Sequence, residues 1–166
     1  HERKNYEVFK ENPNITLTKI FAPEHGFFGE ASAGAKVDYD NANEIGTKII
    51  SLYGKDRKPT SDMLKGLDVI IYDIQDIGAR FYTYISTLGL VMEAAGENGI
   101  EVIVLDRPNP IGGEIIEGPI LDTTYKSFVG YYPIPVRYGL TVGELSQMAI
   151  KEGWLEINPP HLTIFK

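Results

Sequence analysis

Short apolar runs alternate along this chain with segments whose apolar residues recur at helical spacing. The runs are Ile15–Ala22, Lys48–Tyr53, Leu67–Ile74 and Ile100–Leu105. The last two are nearly continuous Val, Ile and Leu, the pattern of strands buried on both faces of a parallel sheet. Between them Ile85, Leu88, Met92 and Ala95 fall on one helical stripe, and Asn98-Gly99 supplies a left-handed stop, which predicts a helix from about Tyr82 to Asn98. A shorter helix is predicted over Ser61–Lys65, opened by Pro59 and Thr60 and closed by Gly66. Thr141 followed by Glu144 forms a capping box, Val142, Leu145 and Ala149 continue it as a stripe, and Gly153 ends it. A helical pattern also precedes the first strand, and Leu162–Phe165 reads as an incipient strand. This alternation predicts an α/β fold, a mostly parallel sheet flanked by helices. No repeat, low-complexity tract or linker interrupts it, so residues 1–166 are expected to form one domain, with a preceding strand missing at the start.

Two stretches are irregular, Pro23–Thr47 and Arg107–Gly139, the second carrying five prolines. Long loops inside a folded unit are usually functional. Composition narrows the function. Sixteen Lys and Arg against 23 Asp and Glu give a net charge of −7, so no basic footprint exists for nucleic acid. The chain has no cysteine, which removes disulfides, thiolate metal sites and cysteine nucleophiles. No apolar run approaches the roughly 20 residues of a membrane span. His1–Lys10 is charged and lacks the apolar core of a secretion signal, although a trimmed product would lack it too.

In open parallel sheets ligands bind at the carboxyl ends of the strands. Those ends read Pro23-Glu24-His25-Gly26, Gly54-Lys55, Asp73-Ile74-Gln75-Asp76 and Asp106-Arg107-Pro108-Asn109-Pro110. All are polar, and four such ends converging on one edge favour a site over ordinary loop termini. Glu24 leaves an apolar strand and is followed closely by glycine, a setting that can raise a carboxyl pKa toward general-acid use. The other reading makes Glu24 a turn cap and His25 a packing residue. Asp73, Asp76 and Asp106 supply further carboxylates, and a carboxylate pair is the minimum apparatus of most glycoside hydrolases. Each is equally able to bond loop N–H groups or pair with Arg80 or Arg107, and that structural role suits Asp106 better than Asp73. Arg80 and Tyr82 stand at the entrance to the long helix, where a cation suits an anionic group and a ring suits a sugar face. Metal binding finds little support, since the two histidines other than His25 lie near the chain ends and no H-E-x-x-H occurs. Neither a P-loop, a G-x-G-x-x-G nor a G-x-S-x-G elbow is present, so no nucleotide cofactor and no serine-hydrolase chemistry is expected.

Six blocks taken together carry a family resemblance: Phe21-Ala-Pro-Glu-His-Gly-Phe27, Ser51-Leu-Tyr-Gly54, Asp73-Ile-Gln-Asp-Ile-Gly-Ala-Arg-Phe-Tyr-Thr-Tyr84, Leu105-Asp-Arg-Pro-Asn-Pro110, Ser127-Phe-Val-Gly130 and Pro133-Ile-Pro-Val-Arg-Tyr-Gly-Leu-Thr-Val-Gly-Glu-Leu145. In this order they resemble the bacterial exo-β-N-acetylmuramidase family, long known as a domain family of unknown function. The resemblance implies a Rossmann-like catalytic domain that releases β-linked N-acetylmuramic acid from the non-reducing ends of peptidoglycan fragments. It implies muramyl saccharides or muropeptides as partners, no cofactor and no metal. It also implies a C-terminal domain and a first strand that are absent from these residues, and a periplasmic or extracellular location. The family's motif glutamate falls on Glu24, the candidate acid/base, with Asp73 as the second candidate catalytic carboxylate. His25, Gln75, Asp76, Arg80, Tyr82, Asp106, Arg107 and Asn109 become candidate substrate-site residues. Relatives usually carry Arg two residues after the motif glycine, where this chain has Phe28, so the resemblance leaves Arg80 as the replacement cation or a different substrate preference. The alternative function is a non-catalytic domain that binds cell-wall carbohydrate.

Overall fold

Each apolar run contributes four or five residues to a strand, and the polar residues beyond it turn the chain away. The computed structural model describes residues 3–29, 32, 45–156 and 158–166. The chain divides into two compact units, His1–Asp56 and Arg57–Lys166.

The first unit holds helix α1 (Asn5–Glu11) and strands β1 (Lys19–Ala22) and β2 (Lys48–Ser51), which pair in parallel with Lys19 opposite Lys48 and Ala22 opposite Ser51. The Leu52 N–H extends the pairing by donating to the Ala22 carbonyl at 2.8 Å. Buried Ala22, Ile45 and Ile49 form its core, with Tyr6, Ile20 and Phe27 packed against them. The strand starts later than the apolar run because Asn12–Ile15 makes a turn. In it Ile15 N–H bonds the Asn12 carbonyl at 3.1 Å, and Asn14 N–H bonds Asn12 Oδ1 at 2.9 Å. Of the irregular stretch Pro23–Thr47, residues 30, 31 and 33–44 lie outside the described residues.

The second unit runs α2 (Ser61–Leu64), β3 (Val69–Tyr72), α3 (Tyr84–Asn98), β4 (Glu101–Leu105), a 3-10 turn at Thr123–Tyr125, α4 (Val142–Lys151) and β5 (Leu162–Phe165). Its sheet has the order β3-β4-β5 and is parallel throughout, with Val69 opposite Glu101 and Val102 opposite Leu162. The incipient strand of the sequence is therefore a full ladder partner. Central β4 alternates as a two-period strand should, with Val102 and Val104 at 0% exposure. Both long helices end in the same device. The Ile100 N–H reaches the Ala95 carbonyl at 2.9 Å around left-handed Gly99, and the Trp154 N–H reaches the Ala149 carbonyl at 2.9 Å around left-handed Gly153. Helix α3 starts two residues after Tyr82, because the Tyr82 amide is turned back to the Ala79 carbonyl at 3.0 Å. No helix among the described residues is long and apolar enough to cross a membrane.

Helix α3 is buried on most of its surface, which forces its polar residues to find partners. Glu93 accepts from the Tyr131 hydroxyl, from Lys58 Nζ at 3.2 Å and from the Glu156 N–H at 3.3 Å. Burial pushes its pKa up, but these donors outweigh burial and hold it below the ordinary glutamate value. One turn earlier, Gly89 lets Tyr131 and Tyr132 approach the helix. A Cβ at this position would lie 2.5 Å from the Tyr131 ring and 2.6 Å from the Tyr132 hydroxyl oxygen. Gly89→Ala should therefore destabilise the second unit by about 1–3 kcal/mol through overpacking, despite the better helix propensity of alanine. Denaturant unfolding followed at α3 checks this, and an unchanged or higher midpoint would refute the close-approach argument.

Candidate functional site at the carboxyl ends of the strands

Glu24 and His25 follow β1 in a tight turn, Pro23–Gly26, closed by the Gly26 N–H on the Pro23 carbonyl at 3.0 Å. His25 holds φ at +70°, alone among the described non-glycine residues. A positive φ at the third position is what a type II turn requires, and a side chain there costs about 1–2 kcal/mol. The turn sets half-buried Glu24 just past the fully buried Ala22. On its far side Phe27 is fixed edge-on against Tyr6, with ring centroids 5.5 Å apart. The strained turn is thus anchored at both ends, by β1 before it and by the aromatic contact after it. Phe28 is 52% exposed, its ring 5.1 Å from that of Phe27.

In the second unit the parallel order brings the residues after β3 beside those after β4. Asp73 is ion-paired with Arg107. Gln75 Nε2 donates to the Asp76 carbonyl at 2.8 Å and to the Pro108 carbonyl at 3.2 Å, tying the two loops together. Asn109 donates to the Leu140 carbonyl at 2.9 Å and accepts from the Ile111 N–H at 3.1 Å. A Cβ on the neighbouring left-handed Gly78 would collide with the Asn109 amide. Asp106 caps α4, accepting from the Gly143 N–H at 2.9 Å and the Thr141 hydroxyl at 2.6 Å. Its charge complements the positive end of the helix.

Arg80 is drawn into the structure of the loop. Its Nη1 donates to the Pro119 carbonyl at 2.7 Å and to the Ile134 carbonyl, while its amide donates to the Val136 carbonyl at 2.8 Å. This guanidinium pins the 107–139 stretch across the entrance to α3. Tyr82 stacks edge-on against Tyr84 at 4.7 Å.

Asp76 differs from the other carboxylates. It is 4% exposed, and its Oδ2 accepts from the Gly78 N–H at 2.6 Å and from the Tyr138 hydroxyl. Its Oδ1 is buried without a hydrogen-bond partner. Burial raises the carboxyl pKa above the ordinary aspartate value, although the Tyr138 hydroxyl and the Gly78 and Ile77 N–H groups pull against it. Tyr138 is pushed up in turn, by burial and by the nearby Asp76 charge. Asp76 lines a crevice with Gln75, Arg107, Asn109, Tyr138 and Thr141, whose innermost free space is about that of one water. Tyr138 and Gly143 carry such contacts but were not singled out in the sequence, and Thr141 was singled out only as a helix cap. Gly143 offered a signal, a glycine in the first turn of an otherwise good helix, where a Cβ would lie 2.7 Å from the Asp106 carboxyl. No group of three or more His, Asp or Glu side chains able to hold a metal occurs among the described residues.

Parallel strands flanked by helices, with carboxylate-bearing loops at the strand ends, define an α/β protein. The chain belongs to the family described as "Exo-beta-N-acetylmuramidase NamZ, N-terminal", whose model matches residues 1–166. It is 53% identical over 150 residues to the peptidoglycan beta-N-acetylmuramidase NamZ of Bacillus subtilis (strain 168), a match covering 90% of this chain and 36% of that protein. Two crystal structures of DUF1343 family proteins from Bacteroides fragilis NCTC 9343 are also similar. One has a TM-score of 0.89 and 48% identity, over 99% of this chain and 41% of that one. The other has a TM-score of 0.77 and 40% identity, over 95% and 40% respectively. The chain thus spans well under half the length of each of these relatives.

The Asp76 environment gives a pH prediction. A folded-state pKa above the unfolded value means that the native state favours the protonated carboxyl. That contribution is present below the unfolded pKa and is lost as pH rises through the folded one. Between about pH 4 and pH 7 the wild type should lose stability relative to Asp76→Asn. Chemical denaturation across that range measures it, and parallel stability curves would show that Asp76 titrates normally.

Proposed function

We propose that this chain is the N-terminal part of an exo-acting glycoside hydrolase that releases β-linked N-acetylmuramic acid from the non-reducing ends of peptidoglycan fragments. The observation that carries this reading is the 53% identity to a protein named for that bond. The strained turn that presents Glu24 at the end of β1 supports it. Backbone strain held in place by its surroundings marks functional positions.

Glu24 is the acid/base group in this reading. It protonates the glycosidic oxygen as the bond to the anomeric carbon breaks, and then takes a proton from the incoming water. Asp73, ion-paired with Arg107, is the second candidate carboxylate of this reading. The remaining edge residues divide by their bonds. Gln75, Asp76, Arg107 and Asn109 surround the crevice and bind substrate, His25 orients Glu24, and Tyr82 offers a ring to the sugar. Asp106 and Arg80 act through the loops they fix. The same reading puts the longer protein in the periplasm or outside the cell, where muramyl fragments arise. It also makes the C-terminal part of the longer relatives this chain's partner.

Turnover of a chromogenic β-N-acetylmuramide by the intact protein tests the reading. Glu24→Gln should lower kcat by about a hundredfold to ten-thousandfold. Near-wild-type turnover would remove Glu24 from the role, and binding of muramyl fragments without hydrolysis by the wild type would mark a carbohydrate-binding module instead. Asp73→Asn should cost about tenfold or more in kcat, whereas a near-neutral effect would assign the stabilisation to the sugar's own 2-acetamido group.

A further inference from the structure

Every polar group around the Asp76 crevice has a bond directed elsewhere. The Gln75 amide N–H₂ serves two backbone carbonyls, Asn109 serves the Leu140 carbonyl and the Ile111 amide, and the Thr141 hydroxyl donates to Asp106. Arg107 pairs with Asp73. The Tyr138 hydroxyl and the Gly78 N–H both meet Oδ2 of Asp76, and Oδ1 remains buried and unpartnered. A buried carboxyl oxygen left in that state is unfavourable, and native proteins seldom tolerate it. Among the described residues nothing bonds this oxygen, and a hydroxyl-sized donor would satisfy it. The crevice that Asp76 lines has innermost space of about one water's size and does not admit a sugar ring.

We propose that Asp76 is a specificity-determining residue, whose Oδ1 receives one hydroxyl of a saccharide lying across the carboxyl ends of β3 and β4. The inference rests on the glycosidase reading above and adds the group that is recognised. The ring stays over the mouth of the crevice while a single hydroxyl enters it, displacing one water. Tyr138 is a positioning residue, because its hydroxyl fixes the carboxyl rotamer through Oδ2 and leaves Oδ1 facing the ligand. A site built around one hydrogen bond discriminates strongly against an analogue without the matching hydroxyl, since the buried oxygen is then left unpaired.

Calorimetric binding of N-acetylmuramic acid and of its 4-deoxy and 6-deoxy analogues to the intact protein tests this. One of the two deoxy analogues should bind about tenfold to a hundredfold more weakly than the parent sugar. Asp76→Leu should abolish that difference by weakening only the sugars that keep the matching hydroxyl, and Asp76→Asn, whose amide still bonds a hydroxyl, should restore most of it. Tyr138→Phe should weaken the same sugars as Asp76→Leu, by a smaller factor, and leave the analogue without the matching hydroxyl unchanged. A wild-type crystal complex should place a ligand oxygen within hydrogen-bond distance of Oδ1, a readout that survives even if Asp76→Leu does not fold. Equal affinity for all three sugars, or an ordered water at Oδ1 with and without saccharide, would overturn the proposal and leave the glycosidase reading standing. No binding of any of the three would instead count against the reading itself.

Discussion

Parallel pairing of β3, β4 and β5 imposes the condition on which the rest of the second unit depends. Strands that run the same way deliver their carboxyl ends to one edge, and there the chain must leave an apolar sheet through polar residues. Those residues bond one another and the loops above. Asp106 meets the exposed amides at the start of α4, Asp73 meets Arg107, and Gln75 joins the loop after β3 to the loop after β4. The connection from β4 to α4 is positioned by the same carboxylate that ends the strand. Gly143 follows from that approach, because only a residue without a side chain leaves room for the Asp106 carboxyl.

The same condition explains how the irregular 107–139 stretch holds a defined shape with so little regular structure. Arg137 pairs with Glu117 at 3.1 Å, and their backbones exchange hydrogen bonds at 2.9 and 3.1 Å. The Leu121 N–H reaches the Ile134 carbonyl at 3.2 Å, and Arg80 grips two further carbonyls from the other side. A cation directed at carbonyl oxygens is an expected occupant of a loop rich in proline, which lacks amide donors but keeps its acceptors. Arg80 looked like an anion-binding group in the sequence because its residue type and its place before a helix are what such a group needs. Which carbonyls would converge on it depends on contacts 39 and 54 residues away.

The parts legible in the sequence are those set by local chemistry. The Thr141–Glu144 capping box, the left-handed stops at Gly99 and Gly153, and the strand over Leu162–Phe165 each depend on residues within about one helical turn of one another. Strand ends were less legible, since turns such as Asn12–Ile15 take residues that the apolar pattern assigns to the strand. The division of the strands between a two-stranded and a three-stranded sheet was not legible at all, because no periodicity encodes it. Among the candidate site residues, the sequence placed the carboxylates at the strand ends but could not rank them. Their ranking lies in their partners, and Tyr138 and Thr141, which distinguish Asp76 from Asp106, come from more than thirty residues away.

Three aspartates within the second unit show how far one residue type can diverge under that control. Asp106 has both oxygens engaged at a helix N-terminus, so its charge is built into the fold. Asp73 faces the Arg107 guanidinium, which holds its carboxyl to the loop after β4. Asp76 is buried with one oxygen unpartnered, and burial favours the neutral acid. In the first unit, Glu24 gains its position from an entirely different source, a backbone turn that forces a histidine to positive φ. Side-chain pairing sorts the carboxyls of one unit, whereas main-chain strain presents the carboxyl of the other.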